Sequence, residues 1–222
     1  MQRLRIRFSR GEPLKFISHL DIIRLWERAF RRARIAVAYS EGFTPHPRIS
    51  LAAPLSVGVT SDAELMDIVV VSQVSPHWFT AAVNQQLPAG MEVGEVYPIA
   101  LEIASLQSQL GFAEYEVDIE TDKGVADIQA AISDLLSLER LPWQHYRDTG
   151  PRRYDLRALI EDLWLADRNG KCRTIGMRLR CDNSGSGRPE QVAAALGFTE
   201  YPRAIRRTRL ILRARRRPGA PR

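Results

Sequence analysis

Lysine is almost missing from a strongly basic chain: of 32 basic residues, only Lys15, Lys123 and Lys171 are lysine. Arginine's planar fork suits phosphates and base edges, but arginine preference also follows genomic composition, so the shortage alone names no ligand. Cysteine is scarce as well. Cys172 and Cys181 lie nine positions apart, which gives neither a disulfide framework nor the ligands of a zinc or iron-sulfur cluster, and they read as buried thiols. The four histidines, His19, His46, His77 and His145, form no His-x-x-x-His spacing. No bound metal and no cofactor are expected. A run of about 18 apolar residues is also lacking, which excludes an obvious membrane-spanning helix. The start, MQRLRIRFSR, alternates and is charged where a signal peptide carries an apolar block. A cytoplasmic, soluble protein with no membrane contact is the expectation.

What is present is a globular composition, 45% hydrophobic over 222 residues, enough for one large or two small domains. Charge is unevenly spread. Residues 1–50 carry eleven basic and four acidic side chains, residues 203–222 carry nine arginines and no acid, and the net charge of +6 leaves the middle at −10. Basic ends around an acidic centre suit either a polyanion-binding surface or segments that pair with each other.

Periodicity gives the elements. RLRIRF alternates as a half-buried strand, with Leu4, Ile6 and Phe8 on one face and Arg3, Arg5 and Arg7 on the other. Ser18 and Asp21 resemble a capping box, opening a helix over residues 19–34. On that helix Ile22, Trp26, Ala29 and Ala33 share one side, and Arg24, Arg28, Arg31 and Arg32 the opposite one. RISLAAPL and AELMDIVVV read as strands around a turn at Gly58. SPHWFTAAVNQQL reads as a helix with Ser75 as cap and Pro76 at its first position, and GMEVGEVYPI as a strand. The order β-α-β-β-α-β is the split βαβ pattern of ferredoxin-like domains.

The same order recurs after a link at residues 101–111. AEYEVDIET is a strand, VADIQAAISDLLSL a helix, YDLRALIEDLWLAD and CRTIGMRLRCD strand candidates, RPEQVAAALGF a helix and AIRRTRLILRA a strand. YDLRALIEDLWLAD also has a helical rhythm at its start. The expected fold is α+β: two ferredoxin-like βαββαβ units with antiparallel sheets, over residues 1–100 and 112–214, and a basic tail at 215–222.

Three features bear on function. In the last strand Arg207, Arg209 and Arg213 are expected on one face, opposite Thr208, Leu210 and Leu212. They offer a phosphate platform, or cross-strand ion pairs with Glu114, Glu116, Asp118 and Glu120 worth about 0.2–1 kcal/mol each. On the first helix only Glu27 stands at i,i+4 spacing from an arginine, Arg31, so the stripe is a solvated face or a site for an acidic partner. The loop YSEGFTPHPR is stiffened by Gly42, Pro45 and Pro47, and either presents Phe43, His46 and Arg48 for stacking and phosphate contact or covers the core. His19 in the first turn of the helix and His46 in the loop are the candidates for metal-free acid–base cleavage of RNA.

The segments KFISHLDIIRLWERAFRRA, YSEGFTPHPRISLAAPLSVGVTSDAELMDI, YDLRALIEDL, GSGRPEQVAAALG and RRTRL resemble the family called radical SAM-linked protein, a domain of unknown function, from about Leu4 to Leu212. In that family the domain occurs alone or as an extension of a cobalamin-binding radical-SAM protein, and its genes often neighbour ribosomal protein genes and a ribonuclease of the E/G type. The resemblance implies a companion of a radical-SAM enzyme, since the chain has no Cys-x-x-x-Cys-x-x-Cys for the cluster of such an enzyme. It carries over no catalytic residues. Among its matching positions, the polar ones without a plain structural role are His19, Arg28, Arg32 and His46. The layout is also similar, at fold level only, to the paired ferredoxin-like RNA-binding proteins and ribonucleases of CRISPR systems.

The resulting expectation is a non-catalytic RNA-binding accessory protein. Its partners would be a structured RNA, ribosomal or transfer RNA, and a radical-SAM protein. Arg24, Arg28, Arg31, Arg32, Phe43, His46 and Arg48 would make the RNA contact. The alternatives are a metal-independent endoribonuclease using His19 or His46, and a protein-only adaptor.

Overall fold

Strict alternation in the first strand decides where the first core forms. In the computed structural model, which describes residues 1–147, 150–167 and 172–213, β1 (Gln2–Arg10) buries Leu4, Ile6 and Phe8 on one face. Against that face lies α1 (His19–Arg32), whose Trp26 meets Phe8 edge-on at 4.9 Å and stacks on Phe30 at 5.3 Å. The chain continues through β2 (Ile49–Leu51), β3 (Thr60–Val70), α2 (Pro76–Asn84) and β4 (Met91–Ile99). The strand order β4-β1-β3-β2 is that of a ferredoxin-like unit, and Phe79 and Val83 of α2 complete its core. Losing a side chain buried as fully as Trp26 costs about 3–5 kcal/mol.

A short helix, α3 (Leu106–Gln109), then leads into the second set: β5 (Leu110–Glu120), α4 (Val125–Ser137), β6 (Pro142–Arg147), β7 (Gly150–Asp155), β8 (Ile160–Asp167), β9 (Cys172–Asp182), β10 (Gly185–Ser186), α5 (Pro189–Ala195) and β11 (Ala204–Leu212). The order β11-β5-β9-β8 repeats the ferredoxin-like pattern. The β6–β7 hairpin is inserted between α4 and β8, over residues where no strand was expected before Tyr154. The helical rhythm of YDLRALIEDL resolves into the end of β7, a single 3-10 turn at Arg157–Leu159 and the start of β8.

The fold is thus α+β, but its two strand sets are not separate sheets. Among the described residues nine strands form one sheet, joined where β11 runs parallel to β3 at Arg206↔Thr60 and Arg207↔Ser61. RISLAAPL forms only the three-residue β2, because the rest of it leaves the sheet. Ala52, Ala53, Leu55 and Val59 pack into the core of the second set. Glu64 stands opposite Phe8 on the helix side of the first set and Arg207 opposite Tyr115 on the helix side of the second, and these two pair. The main helices therefore cover one face of the joint sheet.

Two sequence-based expectations need correction. Arg5 is not on a solvated face. It donates to both Asp67 oxygens at 2.8 and 3.0 Å, Arg3 reaches Asp67 at 2.7 Å, and the 101–109 link closes over both through Arg3 to the Ala104 carbonyl and Arg5 to Gln109. Arg207 and Arg209 do not share a face, since a bulge between them puts Arg207 inside beside Tyr115 and Arg209 outside beside Glu114. A bulge adds one residue to one strand and reverses the alternation beyond it. The expected basic tail, residues 215–222, lies outside the described residues.

Candidate functional site: an arginine face and a junction cavity

The stripe on α1 follows from its sequence period. Ser18 Oγ accepts from the Asp21 amide at 3.2 Å, fixing the helix start, and the apolar residues then turn inward every three or four positions. Arg24, Arg28, Arg31 and Arg32 are left exposed. The helix ends in a Schellman turn: Ile35 N–H donates to the Phe30 carbonyl at 2.9 Å and Arg34 N–H to that of Arg31 at 3.2 Å. Arg34 occupies the left-handed position of that turn, at φ +57°, where glycine is usual. It is exposed and adds a fourth basic side chain near the C-terminal end of the helix.

Most other arginines of the sheet and its edges are engaged internally. Arg7 pairs with Glu95, Arg178 with Glu114, Arg206 with Asp62 and Glu116, and Arg207 with Glu64, while Arg10 donates to the carbonyls of Leu14, Lys15 and Ile17. On α1, Arg24 meets Asp21 at 3.3 Å, a partner that i,i+4 spacing did not show. Among the described residues no ion pair reaches Arg28, Arg31, Arg32, Arg34 or the loop residue Arg48.

The loop is a tight excursion. Tyr39 bridges to Pro47, Ser40 N–H donates to the His46 carbonyl at 2.8 Å, and the His46 amide donates to Ser40 Oγ at 3.0 Å. Gly42, at φ +121°, takes a conformation that a side chain would strain. At the tip Phe43 is fully exposed, and His46 and Arg48 are exposed too, so the loop does not fold its aromatic ring over the core. His19 is half-buried in the first turn of α1. No hydrogen bond joins the rings of His19 and His46 to each other or to another group among the described residues. Nor do those residues contain a cluster of three His, Cys, Asp or Glu able to hold a metal.

A second feature carried no sequence signal. Where the two strand sets meet, a cavity of about 550 Å³ opens between residues 52–56, the turn 182–188 and the β6–β7 hairpin. Its residues come from six separate stretches of chain, and no local pattern announces such a convergence. Arg207 does not line it but reaches the carbonyls of Ala53 and Pro54, which do; fully buried, it donates through Nε to Glu64 Oε1 at 2.8 Å and through Nη2 to Oε2 at 2.5 Å. Although burial opposes its charge, Glu64 and Tyr115 raise the Arg207 pKa further above the ordinary arginine value. Burial pushes the Cys181 thiol up, so the cavity offers no thiolate nucleophile. Burial also raises the Tyr115 hydroxyl.

An edge-joined pair of ferredoxin-like units carrying an arginine face is the class that fold and site define. By sequence the chain belongs to the family described as an uncharacterized protein conserved in bacteria (DUF2344), whose model matches residues 3–189. No curated protein matches the chain. Among solved structures it is similar to a Cbf5-Nop10-Gar1 complex, at 11% identity and TM-score 0.48 over 94% of this chain and 48% of that one. It is also similar to an archaeal box H/ACA sRNP Nop10-Cbf5 complex, at 10% identity and TM-score 0.45 over 94% and 47%. The chain spans about half the length of these solved chains. No helix among the described residues is long and apolar enough to cross a membrane.

Proposed function

We propose that the chain is a non-catalytic RNA-binding accessory protein that uses the outward face of α1 and the tip of the 40–46 loop. The supporting observation is the segregation of its arginines. Those of the sheet are largely neutralised internally, whereas Arg28, Arg31, Arg32, Arg34 and Arg48 point outward with no carboxylate bound among the described residues. Like charges gathered on one face repel each other unless a polyanion neutralises them. Arg24 contributes less because Asp21 shares its charge. Phe43 and His46 add exposed rings on a backbone already held by its turn, so stacking on an unpaired base costs little ordering.

The partner in this reading is a cytoplasmic radical-SAM RNA-modification enzyme, to which the protein presents a ribosomal or transfer RNA. That part rests on the resemblance in sequence. Incubating the purified protein with end-labelled structured RNA in excess chelator, across a salt series, tests the reading. A salt-sensitive complex with intact RNA is expected. RNA cleaved in a His19- or His46-dependent way, or no complex at low salt, contradicts it.

A further inference from the structure

The junction cavity lies apart from the arginine face, and the RNA-binding reading makes no use of it. Its volume of about 550 Å³ is within the range of roughly 300–1,000 Å³ typical of small-ligand sites, which favour junctions between structural units. One wall is apolar, built by Ala52, Ala53, Leu55 and Val59 beside the Tyr115 ring. The lining also includes Tyr154, whose hydroxyl donates to Gln191 Oε1 and fixes the ring, and the basic residues Arg152 and Arg188.

Among the described residues, neither carboxylate of the lining is bonded to those two arginines. Asp182 Oδ1 accepts from the Ser184 amide at 2.8 Å, the Ser184 hydroxyl at 2.5 Å and the Gly185 amide at 3.2 Å, and its Oδ2 is held by Arg213. Asp155 Oδ1 accepts from the amides of Leu141 and Arg157 at 2.8 and 3.0 Å. Arg188 contacts Glu190 only at 3.8 Å and has His145 Nε2 3.5 Å from its Nη1. Arg152 has no ion pair among the described residues. A pocket whose lining combines two underused guanidinium groups with an apolar, tyrosine-bearing wall suits a ligand with a strong anion and a flat, weakly polar body. Guanidinium forks bind phosphate oxygens in pairs.

We infer that the junction cavity binds a phosphorylated nucleoside, with its phosphate on Arg152 and Arg188 and its base against the wall formed by Ala52, Ala53, Leu55 and Tyr115. Such a group is either a free nucleotide or the 5′-phosphorylated end of an RNA chain, and the test separates the two.

The experiment is calorimetric titration of the full chain with adenosine 5′-monophosphate and with adenosine. The monophosphate binds, and adenosine binds at least about tenfold more weakly, because it lacks the charge-assisted bonds. Arg152→Gln and Arg188→Gln each weaken the monophosphate about tenfold while the melting temperature stays near that of the parent. Arg28→Glu with Arg32→Glu leaves it unchanged, so the cavity and the α1 face fail or succeed separately. Equal binding of monophosphate and adenosine, no binding of the monophosphate at millimolar concentration, or indifference to both glutamine variants overturns the inference. Displacement of the monophosphate by a 5′-phosphorylated oligoribonucleotide, but not by its 5′-hydroxyl form, assigns the site to RNA ends. A bound monophosphate that neither oligonucleotide displaces assigns it to free nucleotides.

Discussion

Arg207 and Glu64 form a fully buried ion pair across the joint between the strand sets, and Arg207 also reaches the carbonyls of Ala53 and Pro54 at 3.4 Å. Removing one partner leaves the other's charge stranded in a medium that solvates it poorly. Glu64→Leu should therefore cost about 3–5 kcal/mol in urea unfolding, whereas the double variant Glu64→Leu/Arg207→Met should lose less than the single one. Asp182 behaves differently. Burial alone would raise its carboxyl, but the bonds from Ser184, Gly185 and Arg213 outweigh that and hold it below the usual aspartate value. A carboxyl that is more acidic folded than unfolded adds stability above the unfolded pKa, near 3.9 for aspartate, and loses that contribution as pH falls through the lower folded value. Asp182→Asn should accordingly be less stable than the parent at pH 7, and the gap, read from urea midpoints, should close as the pH drops below about 4.

At the scale of the element, α1 combines fold and proposed function in one sequence. Its apolar positions build the first core, its cap fixes where it starts, and its outward arginines remain for a partner. Arg34 marks the conflict between the two demands, since its left-handed backbone is a glycine's conformation. Arg34→Gly should raise stability by up to about 1 kcal/mol in denaturant unfolding, and it should weaken RNA binding through the lost charge. These features were legible from residues 18–34, because cap, period and charge stripe are all local signals. The elements that escaped depend on distant partners. The bulge that turns Arg207 inward, the closure of the 101–109 link over Arg5, and the β6–β7 hairpin have no period of their own. The Trp164–Gly176 contact is of the same kind: a Cβ at Gly176 would lie 2.0 Å from the indole, so the glycine makes room for a ring from the neighbouring strand. The Phe43 loop lay between these cases, its stiffness readable from Gly42, Pro45 and Pro47 but its exposure decided only by the fold.

Across the whole molecule, the single sheet organises charge. Basic strands at the two ends of the sequence meet acidic ones from its middle, as in Arg206 with Asp62 and Glu116, which is how a chain with basic ends and an acidic centre neutralises itself. The joint also explains why residues 52–59 leave the first set, since their apolar side chains complete the second core and wall the cavity. Of the basic residues that this internal pairing does not reach, Arg28, Arg31, Arg32, Arg34 and Arg48 lie on α1 and in the segment that follows it, and that group is the basis for the proposed RNA contact. The most direct test measures the affinity of one structured RNA for the parent protein and for Arg28→Glu/Arg32→Glu as a function of salt. Binding that weakens steeply with salt in the parent, and a log–log slope lower by about one per replaced arginine in the variant, is the predicted result. Equal affinity and equal slope for the two proteins would contradict the account.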